Sequence, residues 1–247
     1  EHAYHAGHRH ADFQSTRMHV RAAGESGPGV RDIILIPGLS SSPKVWQGTI
    51  DHASTAWIAF LAFLHFEHTG DLDHLRRLAW PLLRGAFEGF WTMLEPPEDA
   101  AGATRLSLPV SVSPEYGEGA VGMWGADASF QLAAIHRLAR ALPRAADALG
   151  EPIDPRWAQV SRELPPCATV PVPRGTWDPA DAPPRDRIAV WARQDLDLSH
   201  RHHSHLAGIY PFATLDHADP AHRARIDASL DHWTRLGSGA WCAWCLP

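Results

Sequence analysis

The sequence predicts an all-α fold, and three observations carry that prediction. Apolar residues recur at three- and four-residue spacing through most of the chain after His52, Asp and Gly stand where those stretches start and stop, and the stretches come in pairs separated by long loops. Helices paired in this way mark a helical-hairpin barrel or solenoid. The chain has 247 residues, 45% of them hydrophobic and 20% charged, which is the balance of a globular protein large enough to bury a sizeable core.

Residues 1–50 stand apart from the rest of the chain. Gly24, Gly27, Gly29, Pro37, Gly38 and Pro43 punctuate them, and residues 32–37 (Asp-Ile-Ile-Leu-Ile-Pro) read as a short buried strand entering a Gly-Leu-Ser-Ser-Ser loop. The fold expectation is therefore helical, with a short non-helical N-terminal segment containing one or two strands. His2, His5, His8 and His10 read as a mobile terminal face, with metal binding as the alternative.

The first helix is expected after Ser54 or Thr55, with Trp57, Phe60, Leu61 and Leu64 as its apolar stripe and Gly70 as its stop. Asp71 or Asp73 caps a second helix carrying Leu75, Leu78, Leu82, Leu83, Phe87, Phe90 and Leu94, and Pro81 is expected to kink it. Residues 95–127 form a loop too long to be a mere connector, a kind that usually carries function. A helix over 128–149 follows with Phe130, Leu132, Ile135, Leu138 and Leu142 buried, then a shorter one over 155–164 around Trp157 and Val160. Prolines dominate up to Pro184, and residues 220–236 read as a last amphipathic helix with Pro220 in its first turn.

Composition excludes several function classes. A net charge of −6, with Arg scattered among Asp and Glu, offers nothing to a phosphate backbone, so no nucleic-acid partner is expected. The longest apolar run, residues 56–64, is too short to cross a bilayer, so no membrane partner is expected either. Cys167, Cys242 and Cys245 cannot all pair with one another. The Cys-x-x-Cys at 242–245 reads as buried thiols or, alternatively, a metal or redox pair. No initiator Met and no signal peptide is visible in the first residues, which read as a truncated N-terminus and leave cytoplasmic and secreted bacterial locations both open. The 17 His and 11 Trp suit sugar recognition, where aromatic faces stack on rings and polar tips bind hydroxyls.

Two stretches carry chemistry. In Ser113-Pro114-Glu115-Tyr116-Gly117 a carboxylate follows a stiff Pro, a setting that fits either a positioned general acid or a solvated loop residue. In Ser199-His200-Arg201-His202-His203-Ser204-His205-Leu206, four imidazoles and a guanidinium crowd six residues. They fit a hydrogen-bonding sugar pocket or a metal site, although no Asp, Glu or Cys at ligand spacing completes the latter.

From about residue 53 to 247 the chain resembles the six-hairpin glycosidases, and in particular glycoside hydrolase family 95, known for α-L-fucosidases and some α-L-galactosidases. The resemblance rests on Phe66-Glu67-His68-Thr69-Gly70-Asp71, Pro81-Leu82-Leu83-Arg84-Gly85, Ser113-Pro114-Glu115, and His200 to Leu206 with Tyr210-Pro211, in that order. It implies a partial (α/α)6 barrel over 51–247 and an inverting reaction on an oligosaccharide or glycoside, without metal or cofactor. Glu115 would be the general acid, and His200, Arg201, His202, His203, His205 and Trp124 would line the sugar subsite, with His202 and His205 foremost.

The family's attacking water is held by an Asn-x-Asn pair and by an Asp in an Asp-Gly-Asn-Phe-Gly-like stretch, yet this sequence contains no Asn. A fragment that keeps the acid and lacks the water-activating residues is the expectation, which leaves open whether the isolated chain is active as an enzyme. Residues 14–50, and most clearly 33–49, resemble instead the first strand and oxyanion loop of α/β-hydrolases, which implies a separate origin for residues 1–50. An esterase would need a Gly-x-Ser-x-Gly elbow, which the sequence lacks, and a non-catalytic carbohydrate-binding remnant is the other alternative. The sequence leaves the oligomeric state, the sugar and its linkage open.

Overall fold

The computed structural model describes residues 7–13, 16–22, 52–95, 105–114, 116, 124–173, 185–198 and 202–236. Its contacts divide the chain into two units, Glu1–Ser54 and Thr55–Pro247.

In the first unit, β1 (Gly7–Phe13) pairs antiparallel with β2 (Thr16–Ala22), with Gly7 opposite Ala22 and Phe13 opposite Thr16. Positions 8 and 10 thus belong to a paired strand rather than to a mobile terminal face. The β-branched Thr16 and Val20 favour extended backbone and supply a partner that the histidine count does not reveal. The strand expected at residues 32–37 and the α/β-hydrolase-like stretch at 33–49 lie outside the described residues.

The second unit is built on helices, as expected. Helix α1 (His52–Thr69) ends at Gly70, whose φ of +70° is the left-handed stop that glycine tolerates. Its buried face is Ala56, Ala59, Phe60 and Phe63, while Leu61 is exposed. The stripe is thus rotated from the expected one. Apolar residues surround most of this helix, so periodicity could not fix its phase, and the small Ala56 and Ala59 set the face of closest approach. Asp71 caps α2 (Leu72–His74) by accepting from the His74 N–H at 2.9 Å. The backbone then widens into a π-helical turn (Leu75–Ala79) before α3 (Trp80–Trp91). Pro81 accounts for the turn. It has no N–H to give and its ring presses on the carbonyl four residues back, so the preceding turn opens to five-residue spacing.

Helix α4 (Ser129–Leu149) is the centre of the unit. Phe130, Leu132, Ile135, Leu138 and Leu142 are all buried as expected, and Gly150 closes the helix at φ +70°. Helices α3 and α5 (Pro155–Glu163) pack on it, and Asp154 caps α5. Helix α6 (Pro220–Arg235) starts at the cap Asp219 and buries Ile226, Ser229 and Trp233. Phe130 of α4 and Trp57 and Phe60 of α1 all meet the fully buried Phe212, at ring separations of 5.7, 5.9 and 6.0 Å. Arg137 of α4 lies 4.3 Å over the Phe60 ring and bonds Glu67 of α1 at 3.3 Å, which gives the Phe-Glu-His-Thr-Gly-Asp motif a role as a strut.

Two short antiparallel pairs interrupt the helices: β3 (Ser111–Val112) with β4 (Trp124–Gly125), and β5 (Thr169–Pro171) with β6 (Asp186–Ile188). The sequence reading has neither, because runs of two or three residues leave no periodicity to detect.

The loops are joined to the buried start of α4 by hydroxyls. Ser129 Oγ donates to the Ala189 carbonyl at 2.7 Å and accepts the Ala168 N–H at 3.0 Å, while the Ser129 N–H reaches the Val190 carbonyl at 3.1 Å. Replacing Ser129 by Ala leaves a buried donor and a buried acceptor unpaired, a loss of about 1–3 kcal/mol for each group so stranded. Urea unfolding of Ser129→Ala is therefore expected to show a lower midpoint with an unchanged slope.

Candidate active site

The strand that leads into Ser-Pro-Glu is held by α4 and by the short helix-entry loop before it. Ser111 Oγ donates to the Gly125 carbonyl at 2.6 Å and accepts the Ala128 N–H at 2.8 Å, and the Val112 N–H donates to the Oε1 of buried Gln131 at 2.7 Å. On the same loop, Asp127 Oδ1 accepts from the Leu108 N–H at 2.7 Å and Ser107 Oγ at 3.1 Å. Just past this strand, the Tyr116 N–H donates to the Ser113 carbonyl at 2.8 Å and closes a turn. Glu115 itself lies outside the described residues, as do His200 and Arg201.

The histidine stretch arrives at the same place. Ser204 starts a 3-10 turn (Ser204–Leu206), and its Oγ meets Ser113 Oγ at 2.7 Å, both residues being buried. His202 is half-buried, His203 is 7% exposed and His205 only 2% exposed. The His203 ring lies 5.8 Å from the indole of Trp233 on α6. Burial, and then the neighbouring His202, hold the His203 imidazole below its ordinary pKa, so it is neutral near pH 7. A neutral imidazole offers one donor and one acceptor, the pair that a sugar hydroxyl needs. Among the described residues no three His, Cys, Asp or Glu side chains are placed to hold a metal ion.

Trp124 pairs through its backbone with Val112, next to Ser113, and its side chain is 59% exposed. Behind it, Gly125 lies so close to Trp191 that a Cβ there would overlap the indole. Trp191 in turn supports the Tyr116 ring, edge to face at 5.5 Å. Tyr116, Trp191, Leu206 and Trp233 belong to one buried cluster, so the two motifs share a core.

Sequence reasoning missed three participants: Ser204 as a partner of Ser113, Tyr116, and Asp197. The Tyr116 hydroxyl donates to Asp197 Oδ1, and Gln194 Nε2 donates to Asp197 Oδ2 at 3.3 Å. Burial and the Asp197 carboxylate push the phenol up to about 12, so it remains a donor throughout the neutral range. The segment bearing Asp197 is itself fixed. Burial works against the charge of Asp195, but the Arg187 fork outweighs it and keeps that carboxyl below the usual range, and His232 Nε2 bonds the Leu196 carbonyl at 2.6 Å. The only sequence signal for Asp197 is the Asp-Leu-Asp just before the histidines. A cavity of about 230 Å³ lined by Trp80, Arg84, Glu88, Ile153 and Trp157 lies elsewhere and contains none of the expected site residues. Cys167 is buried, and burial raises its thiol to about 11, in keeping with a structural thiol, whereas Cys242 and Cys245 lie outside the described residues.

The glycosyl hydrolase family 95 catalytic domain matches residues 30–246, and the chain belongs to that family. It is thus a glycoside hydrolase by family, and its substrate is a carbohydrate. The match begins at residue 30, upstream of the boundary near residue 53 drawn from the motifs, and so takes in the 33–49 stretch. No curated protein matches the chain.

His136 behaves like His203: burial lowers its pKa, while Nε2 is shared between the Leu164 and Pro165 carbonyls at 3.2 and 3.1 Å. With both folded-state values depressed, the unfolded chain binds more protons below the ordinary imidazole pKa of about 6.5. The stability they contribute is complete above that pH and declines as pH falls below it. Chemical denaturation at pH 5.5 and 7.5 is expected to show this loss, and His136→Gln, which keeps a donor for the two carbonyls, is expected to show less of it.

Proposed function

We propose that this chain carries the acid side of an inverting glycoside hydrolase site of the α-L-fucosidase or α-L-galactosidase type, within a partial (α/α)6 barrel. The observation that supports this best is the buried 2.7 Å bond between Ser113 Oγ and Ser204 Oγ, which ties the first residue of the Ser-Pro-Glu motif to a serine of the histidine stretch across 91 residues of sequence. Glu115 gives its proton to the glycosidic oxygen as the C1–O bond breaks, and the incoming nucleophile takes the opposite face of the sugar. His200, Arg201, His202, His203 and His205 bind hydroxyls, and the exposed face of Trp124 stacks on the ring.

The residues that activate water in this family have no counterpart in a sequence without Asn. On this reading the chain supplies the proton, and the activation of water is the step it lacks. That division has a chemical test, because azide is already an anion and attacks C1 without losing a proton.

Sodium azide is expected to accelerate cleavage of an aryl α-L-fucoside or α-L-galactoside by the chain and to give the inverted β-glycosyl azide. Glu115→Gln is expected to lower azide-supported cleavage about 100-fold or more when the leaving group is an ordinary alcohol. The loss should be smaller for a nitrophenol, which leaves without a proton. Sugar binding with no cleavage in azide would replace this reading by that of a non-catalytic carbohydrate-binding protein.

A further inference from the structure

The turn over residues 113–116 is fastened at two points, one just before the histidine stretch and one within it. Tyr116 bonds Asp197, two residues before the stretch, and Ser113 bonds Ser204, within it. Residues 199–203 lie between those two anchors in sequence. Two joints fix an orientation where one leaves a pivot.

Packing alone does not account for the second joint. The edge-to-face contact of the Tyr116 ring with Trp191 needs no hydroxyl, and a phenylalanine would keep it. Asp197 is exposed, and a hydrogen bond to an exposed carboxylate adds little to stability because water competes for it. Yet the two residues just before Asp197 are held, Asp195 by Arg187 and the Leu196 carbonyl by His232. The ring's floor is held too, by Gly125 against Trp191. The phenol therefore spans two fixed bodies.

We infer that Tyr116 and Asp197 are positioning residues: their hydrogen bond, together with Ser113–Ser204, holds both ends of the Ser113–Tyr116 turn, at Ser204 and at Asp197. This rests on the reading of Glu115 as the acid. A proton donor displaced by about an ångström from the glycosidic oxygen loses rate without losing substrate binding. The bond therefore acts on turnover rather than on affinity.

Amide hydrogen exchange and azide-supported turnover, both on the full chain, test it. Tyr116→Phe and Asp197→Ala are each expected to lower kcat about 10- to 100-fold at nearly constant KM and melting midpoint. Each is also expected to speed exchange of the Tyr116 amide several-fold. The double variant should be no worse than either single one, because both remove the same bond. Asp197→Asn, whose amide oxygen still accepts, should retain most of the rate. Unchanged exchange at the Tyr116 amide, additive losses in the double variant, or Asp197→Asn as damaging as Asp197→Ala would each overturn the inference. If the unaltered chain cleaves no glycoside even with azide, the catalytic reading is what fails. The exchange measurement then decides by itself whether the phenol and carboxylate hold the turn.

Discussion

A helix whose first turn is buried has donors that water cannot reach, and that constraint organises the second unit. The start of α4 is buried, and the N–H groups of Ala128 and Ser129 find the Ser111 hydroxyl and the Val190 carbonyl. Residues 107–113, 124–128 and 186–190 are thereby drawn to one helix end. Serines do most of the joining, since a hydroxyl both donates and accepts. Ser229 repeats the device at α6, accepting the Ile188 N–H at 2.8 Å while donating to the Arg225 carbonyl at 2.7 Å. The placing of these loops is a consequence of how a helix terminus is satisfied.

Packing then fixes what hydrogen bonding gathers. Phe212 closes the aromatic contact between α1 and α4, and the same segment is tied to α4 by Arg140, which donates to the Ala213 and Thr214 carbonyls at 3.2 and 3.0 Å. Gly208 sits against Leu215 so closely that a Cβ there would lie 3.1 Å from it, and the tight fold from Ser204 to Leu215 depends on that approach. The histidine loop therefore rests on the same helix as the Ser-Pro-Glu loop, one through aromatic rings and the other through serines.

Helices were legible from sequence because their signals are local. Gly70 and Gly150 end helices, and Asp71, Asp154 and Asp219 cap them, as residues of those types do. The buried stripe of α4 followed from its period, and that of α1 did not, since a helix apolar on most sides has no phase to read. The β3–β4 and β5–β6 pairs left no trace, being two or three residues long, and Pro171 at the end of β5 argued against a strand at all. Both motif segments of the site were visible as residue types. What joins them was not, because Ser113 with Ser204 and Tyr116 with Asp197 are pairings across 91 and 81 residues between side chains that are individually commonplace.

The bond between Ser113 and Ser204 links two hydroxyls, either of which serves as the donor. Such a joint has no fixed polarity. Rotation of two protons reverses its sense while the oxygens stay where they are, so a change of charge on either loop can be met by reorientation instead of rupture. The two loops thus stay coupled, oxygen to oxygen, whichever hydroxyl is donating.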